Sequence, residues 1–149
     1  MFDRKHIGHR FGPVTIEVEK GPMRLFAKAI GESRPVCVDE QAAHASGLRS
    51  LLAPPTYIYC LESLGHCTDE LAQLLEIGDA VHLHGEQGFE YFESVCAGDQ
   101  LTFQQTVTDI YSKRDGQLNF VVTETRVTNH LAQHVANIRS TSLVNRAPS

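Results

Sequence analysis

The chain has 149 residues, of which 42% are hydrophobic, and a formal net charge of -5 at pH 7. This length favours one domain, residues 1–149, with one core. The negative charge argues against a nucleic-acid-binding protein, which usually presents a basic face. No apolar run reaches the length of a membrane span, and Met1 to His6 lack the apolar segment of a signal peptide. We therefore expect a cytoplasmic protein that binds neither nucleic acid nor membrane.

The cysteines and histidines show no spacing typical of a metal site. The four cysteines contain no C-x-x-C pair, and in a reducing compartment we expect them to be free thiols. Most of the histidines also lack metal-ligand spacing: His6, His9, His44, His66, His130 and His134. The sequence therefore predicts no metal ligand.

The first third of the chain predicts one short strand followed by two helices. Val14 to Glu19 alternates apolar and polar residues, as a half-buried strand does. Gly21-Pro22 then opens a helix whose apolar residues recur at helical spacing as far as Ile30, and Gly31 is a natural stop for it. Asp39 is a suitable cap for a second, short helix from Glu40 to Ser46.

The next segment predicts a helix that is apolar over most of its circumference. It opens on Pro54-Pro55 and ends near Gly65. A helix of this kind is usually buried, and Glu62 is the exception on it. A further short helix is predicted from Asp69 to Leu75.

The second half changes to the two-residue period of strands and is rich in Val, Thr, Phe and Tyr. Turn residues separate four long segments, which predicts an antiparallel meander. The predicted strands are Leu83 to Val95, Leu101 to Tyr111, Leu118 to Thr128 and His134 to Val144. The fold class is therefore α+β, with an antiparallel sheet wrapped around one central apolar helix. A lone sheet of this kind leaves an edge strand unpaired, so we expect an oligomer.

Four short motifs occur in an order and spacing that resemble a known family. They are Gly31 to Cys37, Ala53-Pro54-Pro55-Thr56, His84-Gly85-Glu86-Gln87 and Ala97-Gly98-Asp99-Gln100-Leu101. Together they resemble the N-terminal, fatty-acid-synthase-type dehydratase branch of the MaoC-like proteins, over roughly Phe11 to Asn145. The resemblance implies a hot-dog fold, acyl groups carried on coenzyme A or acyl-carrier protein as substrates, and a homodimer or a hetero-oligomer with another hot-dog subunit. It implies no cofactor.

The chain departs from the family at the residues that carry the chemistry. In the family, the Asp and His of a G-D-x-N-P-x-H turn activate a water against a 2-enoyl thioester. Glu32 and Cys37 stand at those positions here. A backbone N–H at the start of the central helix usually meets the thioester oxygen, but Pro55 stands there and has no N–H. The Thr56 N–H and the helix dipole can replace it.

Three residues are candidates for acid–base catalysis, and each also has an interpretation without a catalytic role. Glu32 is a candidate base if burial raises its pKa; otherwise it is a solvated turn residue or a partner for Arg34. His84 and Glu86 lie two residues apart on a predicted strand, so their side chains should share a face. Either the two side chains act as an acid–base pair, or this is a polar face that is exposed to water. Cys37 is interpreted as a small apolar filler.

Substrate contacts are expected at the start of the central helix and at one strand glycine. The helix residues are Pro55, Thr56 and Tyr57, and Gly85 permits close approach of a ligand or of another backbone. Our leading hypothesis is an acyl-thioester hydratase or dehydratase, active through a modified site or acting as the acyl-binding half with a partner subunit. The alternatives are a thioesterase, which needs Glu62 or Glu32 in its pocket, and a non-catalytic acyl-CoA-binding subunit.

Overall fold

The computed structural model describes residues 3–65, 68–76 and 81–145. After a 3-10 turn at Arg4–His6, the chain forms ten elements in the following order. They are β1 (Val14–Glu17), α1 (Lys20–Ala29), α2 (Pro35–Val38), α3 (Glu40–Ala45), α4 (Tyr57–Gly65), α5 (Thr68–Leu74), β2 (Val81–Tyr91), β3 (Gln100–Lys113), β4 (Leu118–Asn129) and β5 (His134–Asn145). None of the helices within these described ranges is long and apolar enough to span a bilayer.

The helix boundaries in the first third follow local signals in the sequence. Gly31 has a φ of 70° just after α1, a left-handed conformation that glycine adopts without strain. The Asp39 carboxylate accepts a backbone N–H at 2.8 Å and caps α3, as predicted. The short helix α2 was not predicted. Pro35 occupies its first turn, where the missing N–H leaves no hydrogen bond unmade.

Helix α4 is the central helix, and one side of it lies in the core. Tyr57, Ile58 and Leu61 are buried there among side chains from three strands, including Leu101, Phe103, Val127 and Ile138. Each such side chain contributes roughly 1.5–3 kcal/mol by leaving water. The other side is open, since Leu64 is 77% exposed. The prediction of a wrapped central helix is confirmed, although α4 is not buried all round.

The five strands form one antiparallel sheet in the order β1-β3-β4-β5-β2. The antiparallel α+β architecture is confirmed. The prediction of a four-strand meander is wrong in one respect, because β2 pairs with β5 and not with β3. Turn signals indicate where a strand ends but not which strand becomes its partner.

The segment between β2 and β3 leaves the sheet earlier than predicted. Strand β2 ends at Tyr91, four residues before the predicted end at Val95. Residues 92–99 then fold against the segment that precedes α4. The Ala53 N–H donates to the Val95 carbonyl at 2.8 Å, and an isolated bridge joins Leu52 to Cys96. This contact brings the end of β2 beside the start of α4.

Candidate functional site

A cleft of about 300 Å³ opens where the start of α4 meets the end of β2. Its volume lies at the lower end of the range for small-molecule sites. Its walls are largely apolar and carry one cationic and one anionic side chain. The lining residues are Arg34, Leu52, Ala53, Pro54, Pro55, Ile58, Tyr91, Phe92, Glu93, Ser94 and Val95.

Two polar contacts hold the walls of this cleft in place. The Tyr91 hydroxyl donates to the Pro55 carbonyl and ties β2 to the start of α4. Burial raises the pKa of Tyr91 to about 12, so the hydroxyl keeps its proton and remains a donor. Behind the other wall, the Arg49 guanidinium forms a bidentate pair with the buried Asp99 carboxylate and also donates to the Ser94 carbonyl. Such forked pairs fix orientation as well as contributing energy.

Glu32 forms an ion pair with Arg34 at the edge of the cleft. The Glu32 carboxylate accepts from the Arg34 backbone N–H at 2.9 Å, from Nε at 2.9 Å and from Nη2 at 2.6 Å. These bonds lower the pKa of Glu32 from 4.5 to about 2. The raised pKa that a general base needs is therefore absent, and the interpretation of Glu32 as a partner for Arg34 is the one that the geometry supports.

Cys37 is fully buried in α2. Burial is the main cause that raises the pKa of its thiol, and it outweighs the opposing effect of Arg34. A buried, protonated thiol is neither a base nor a nucleophile. This environment supports the interpretation of Cys37 as a packing residue.

The start of α4 offers one backbone donor. The Thr56 N–H meets no acceptor within the described part of the chain, whereas the Tyr57 N–H donates to the Pro54 carbonyl at 2.9 Å. Thr56 is exposed but does not line the cleft. Tyr57 is buried and packs on Phe26, with 5.2 Å between ring centroids. Of the three residues predicted to contact substrate at the helix start, only Pro55 lines the cleft.

A β-bulge separates His84 from Glu86. His84 lies opposite Ser142 on β5, but Glu86 lies opposite Thr141, so Gly85 is an extra residue in β2. Directly opposed residues lie on the same face of a sheet, and consecutive residues on one strand lie on opposite faces. His84 and Glu86 therefore lie on opposite faces, and the prediction that they share one is wrong.

His84 faces α4 but does not line the cleft. The Tyr59 hydroxyl is 3.3 Å from His84 Nδ1, and the two rings meet edge to face with 5.5 Å between centroids. Tyr91, which lines the cleft, follows His84 by seven residues along an extended strand, or roughly 20 Å at 3.3 Å per residue. The structure thus does not bring Glu32, His84 and Glu86 together.

Glu62 is buried in the space between α4 and the sheet. The residue is only 4% exposed. It accepts a hydrogen bond from the Thr125 hydroxyl, and Gln105 Nε2 lies 3.5 Å from the same oxygen. Glu62 is therefore a buried carboxylate held by polar side chains of the sheet. Glu62 does not line the cleft, so this position gives no support to a thioesterase site.

Sequence reasoning missed the part of the cleft that comes from β2. Tyr91 ends that strand and Phe92 follows it, and the only local signal was an aromatic pair placed before a turn. Pro55, which accepts the hydrogen bond of Tyr91, lies 36 residues away along the chain. Arg34 was considered only as a partner for Glu32. In the part of the chain that the structure describes, no three His, Cys, Asp or Glu side chains converge as a metal site requires.

Residues 5–138 match the family described as the FAS1-like dehydratase domain region. The chain belongs to this family. The MaoC-like resemblance stated from the motifs is thereby confirmed. Among relatives, this chain is 34% identical over 113 residues to a UPF0336 protein of Streptomyces avermitilis, a match that covers 74% of each chain.

Solved structures of dehydratases share the fold of this chain, and two of them illustrate the likeness. A chain of the HadBC (3R-hydroxyacyl-ACP dehydratase) complex of Mycobacterium tuberculosis superposes with a TM-score of 0.81 at 24% identity, over 93% of this chain and 96% of that one. A MaoC-like dehydratase superposes with a TM-score of 0.84 at 22% identity, over 95% of this chain and 43% of that one. The hot-dog fold is therefore that of hydratase and dehydratase proteins.

Proposed function

We propose that this protein is the acyl-binding half of a two-part acyl-thioester hydratase or dehydratase. A second hot-dog subunit with the intact Asp and His supplies the acid–base chemistry. The observation that carries the proposal is the ion pair of Glu32. At the position where the family places a general base, the carboxylate accepts three hydrogen bonds from one arginine and has a pKa of about 2.

Hydration of a 2-enoyl thioester requires a base for the water and an acid for the alpha carbon. The residues at the family's motif positions do not place such a pair in the cleft. Cys37 is a buried thiol, and His84 and Glu86 point away from each other across the sheet. The apolar walls of the cleft suit a different task, which is to hold an acyl chain out of water.

The comparisons support the division of labour between two units. The HadBC protein, which shares this fold, is a complex. The MaoC-like dehydratase is more than twice as long as the part that this chain matches, so it has room for a second unit of similar size. Among the strands that the structure describes, β2 is at the edge of the sheet and pairs with β5 alone, so its long free edge offers this chain a surface for such a unit.

A second candidate function rests on the contact between His84 and Tyr59. Histidine is the side chain most often used in general acid–base catalysis, and His84 Nδ1 lies 3.3 Å from the Tyr59 hydroxyl. In this alternative, the chain hydrates enoyl thioesters alone, through His84 with the Tyr59 hydroxyl. His84→Ala would then lower kcat by about 10²–10⁴, the usual span for the loss of one acid–base group.

The test measures binding and turnover separately. The purified chain is titrated with octanoyl-CoA, and steady-state hydration of 2-octenoyl-CoA is followed with and without a hot-dog subunit that has the intact G-D-x-N-P-x-H turn. We expect binding without turnover for the chain alone, turnover with the partner, and no effect of His84→Ala on that turnover. Turnover by the chain alone that His84→Ala abolishes would establish the second candidate instead.

A cleft variant tests whether the acyl chain occupies the proposed place. Ser94 is exposed and lines the cleft, so Ser94→Trp should fill part of the cavity and weaken octanoyl-CoA binding by at least about tenfold. Ser46→Trp is the matched control, because Ser46 is exposed at the end of α3 and lies outside the cleft. Equal binding by both variants would contradict an acyl site in this cleft.

A further inference from the structure

One wall of the cleft is formed by residues 92–95, which have neither helical nor strand structure. The start of this wall is held by the sheet, because the Phe92 N–H donates to the Val135 carbonyl at 2.9 Å. Its end is held by the segment before α4, where the Ala53 N–H donates to the Val95 carbonyl at 2.8 Å. The middle of the wall lies between these two anchors and needs a contact of its own.

That contact comes from the side chain of Arg49. Its Nη2 atom donates to the Ser94 carbonyl at 3.1 Å, and within the described part of the chain this carbonyl has no second donor. Arg49 does not line the cleft itself. It therefore acts on the cleft through the backbone of Ser94.

Arg49 is in turn fixed by a buried carboxylate. Its Nε atom donates to one oxygen of Asp99 at 2.7 Å, and Nη2 donates to the other oxygen. The Asp99 side chain is only 7% exposed and also accepts from the Cys96 N–H at 2.8 Å. A carboxylate out of water needs a paired cation, because an unpaired buried charge is costly. The forked pair holds the guanidinium in one geometry, and this geometry places the Ser94 carbonyl.

The other wall of the cleft, at the start of α4, is also held in place. Pro54, Pro55 and Ile58 form this wall, and the Tyr91 hydroxyl donates to the Pro55 carbonyl. The separation of the two walls is therefore set before a ligand binds. A fixed apolar site accepts a ligand that matches its shape and resists one that is wider by a methyl or an ethyl group. The contact at Ser94 is the part of this arrangement that depends on one side chain.

We propose that Arg49 is a positioning residue that sets the width of the cleft and thereby selects unbranched acyl chains over branched ones. This inference rests on the proposed function and adds the shape of the acyl group to it. The cleft is small, about 300 Å³, and a straight chain contacts both walls without moving either. A branched chain of the same composition is wider, so it has to move the Ser94 carbonyl away from Arg49.

The experiment compares two isomers that differ in shape alone. Octanoyl-CoA and 4-ethylhexanoyl-CoA contain the same atoms, but the second has a branch in the middle of its acyl chain. We expect the wild-type chain to bind octanoyl-CoA at least about tenfold more tightly, which is the scale for a misfitting methylene group in an apolar pocket. In Arg49→Lys, the ammonium still pairs with Asp99 but lacks the planar fork that also reaches Ser94. The preference for octanoyl-CoA should then fall to about threefold or less.

The matched control is Arg139→Lys. Arg139 also pairs with a carboxylate, that of Glu124 at 2.8 Å, and its side chain is 55% exposed against 53% for Arg49. Arg139 lies outside the cleft, so its variant should keep the wild-type preference. A second variant, Arg49→Gln/Asp99→Asn, removes both charges together and leaves no unpaired carboxylate in the core. It should lose the preference as Arg49→Lys does.

Turnover of 2-octenoyl-CoA by the two-part enzyme separates positioning from a loss of folded protein. Arg49→Lys should raise KM by about three- to tenfold and leave kcat within about twofold, because Arg49 touches no reacting atom. A loss of folded protein would lower kcat and leave KM unchanged. That second pattern would overturn the positioning role.

The possible results separate this inference from the proposed function. A wild type that binds both isomers equally, or a preference that survives in both Arg49 variants, would overturn the role of Arg49 and leave the acyl site in place. An equal loss of preference in Arg139→Lys would also overturn it, because Arg139 lies outside the cleft. A wild-type chain that binds neither thioester would contradict the proposed function, and the inference would fail with it.

Discussion

Titratable side chains at motif-like positions occur in two regions, and their surroundings in the fold differ. In the turn between α1 and α2, each group is held by its surroundings: Glu32 by Arg34, and Cys37 by burial. At the start of β2, His84 and Glu86 are exposed, but the bulge at Gly85 turns them to opposite faces. The difference shows that a motif position supplies chemistry only when environment and geometry agree.

In the function that we propose, the first region lacks an acid–base pair because of its environment, and the second because of its geometry. A strong ion pair keeps a carboxylate ionised but makes it a weak base, and a buried thiol keeps its proton. The exposed groups of β2 lie on opposite faces and have no common substrate to act on. Substitutions in the two regions should therefore have different effects on stability and activity, and three predictions use that difference.

The largest effect is expected at the bulge. A Cβ on Gly85 would lie 3.0 Å from the Thr141 carbonyl oxygen, which belongs to the backbone of the paired strand β5 and cannot move away easily. We expect Gly85→Ala to lower the free energy of unfolding by about 2–3 kcal/mol, the cost of overpacking. Urea unfolding followed by circular dichroism measures it.

The control for the bulge is the other glycine of β2. A Cβ on Gly88 would have ordinary contacts, with the nearest atom at 3.9 Å. Gly88→Ala should be neutral or stabilising by up to about 1 kcal/mol, because alanine restricts the unfolded chain. The two variants are compared by the sign of the change in their free energy of unfolding. A Gly85→Ala variant as stable as Gly88→Ala would contradict the close approach of the backbone at the bulge.

A smaller loss of stability is expected at Cys37, with no effect on chemistry. Cys37→Ser places a hydroxyl in a fully buried site, which we expect to destabilise the fold by about 1–2 kcal/mol. Thioester binding and the turnover of the two-part enzyme should stay within about tenfold of the wild type, because the thiol transfers no proton. A loss of activity beyond about a hundredfold in a folded variant would assign Cys37 to the reaction.

The sequence predicted the elements better than their partners. Local signals such as the Asp39 cap and Gly31 marked helix boundaries, since each acts within a few residues. The pairing of β2 with β5 and the contact of Tyr91 with Pro55 join distant segments, and no local pattern specifies them. The bulge is the clearest case, because one inserted residue reverses every face assignment beyond it.

The smallest effect is a pH dependence that should appear in the turn and not in β2. The Arg34 contacts hold the pKa of Glu32 near 2, below its ordinary 4.5. A carboxyl group whose pKa is lower in the folded than in the unfolded state stabilises the fold at pH values above its unfolded-state pKa. This stabilisation is lost as the pH falls through the folded-state pKa. Glu32→Gln should therefore be less stable than the wild type at pH 6, and the difference should shrink between about pH 4.5 and pH 2.

Glu86→Gln is the matched control for this pH dependence, since Glu86 is exposed and has no ion-pair partner among the residues that the structure describes. It removes the same charge from β2, and its stability should follow that of the wild type at every pH. Unfolding midpoints in urea at pH 6, 4 and 2.5 measure both variants. Because about half of the Arg34 side chain is exposed to solvent, the stability difference should also narrow in high salt. Parallel curves for the two variants would mean that the ion pair does not hold the turn, and Glu32 would again be available as a base.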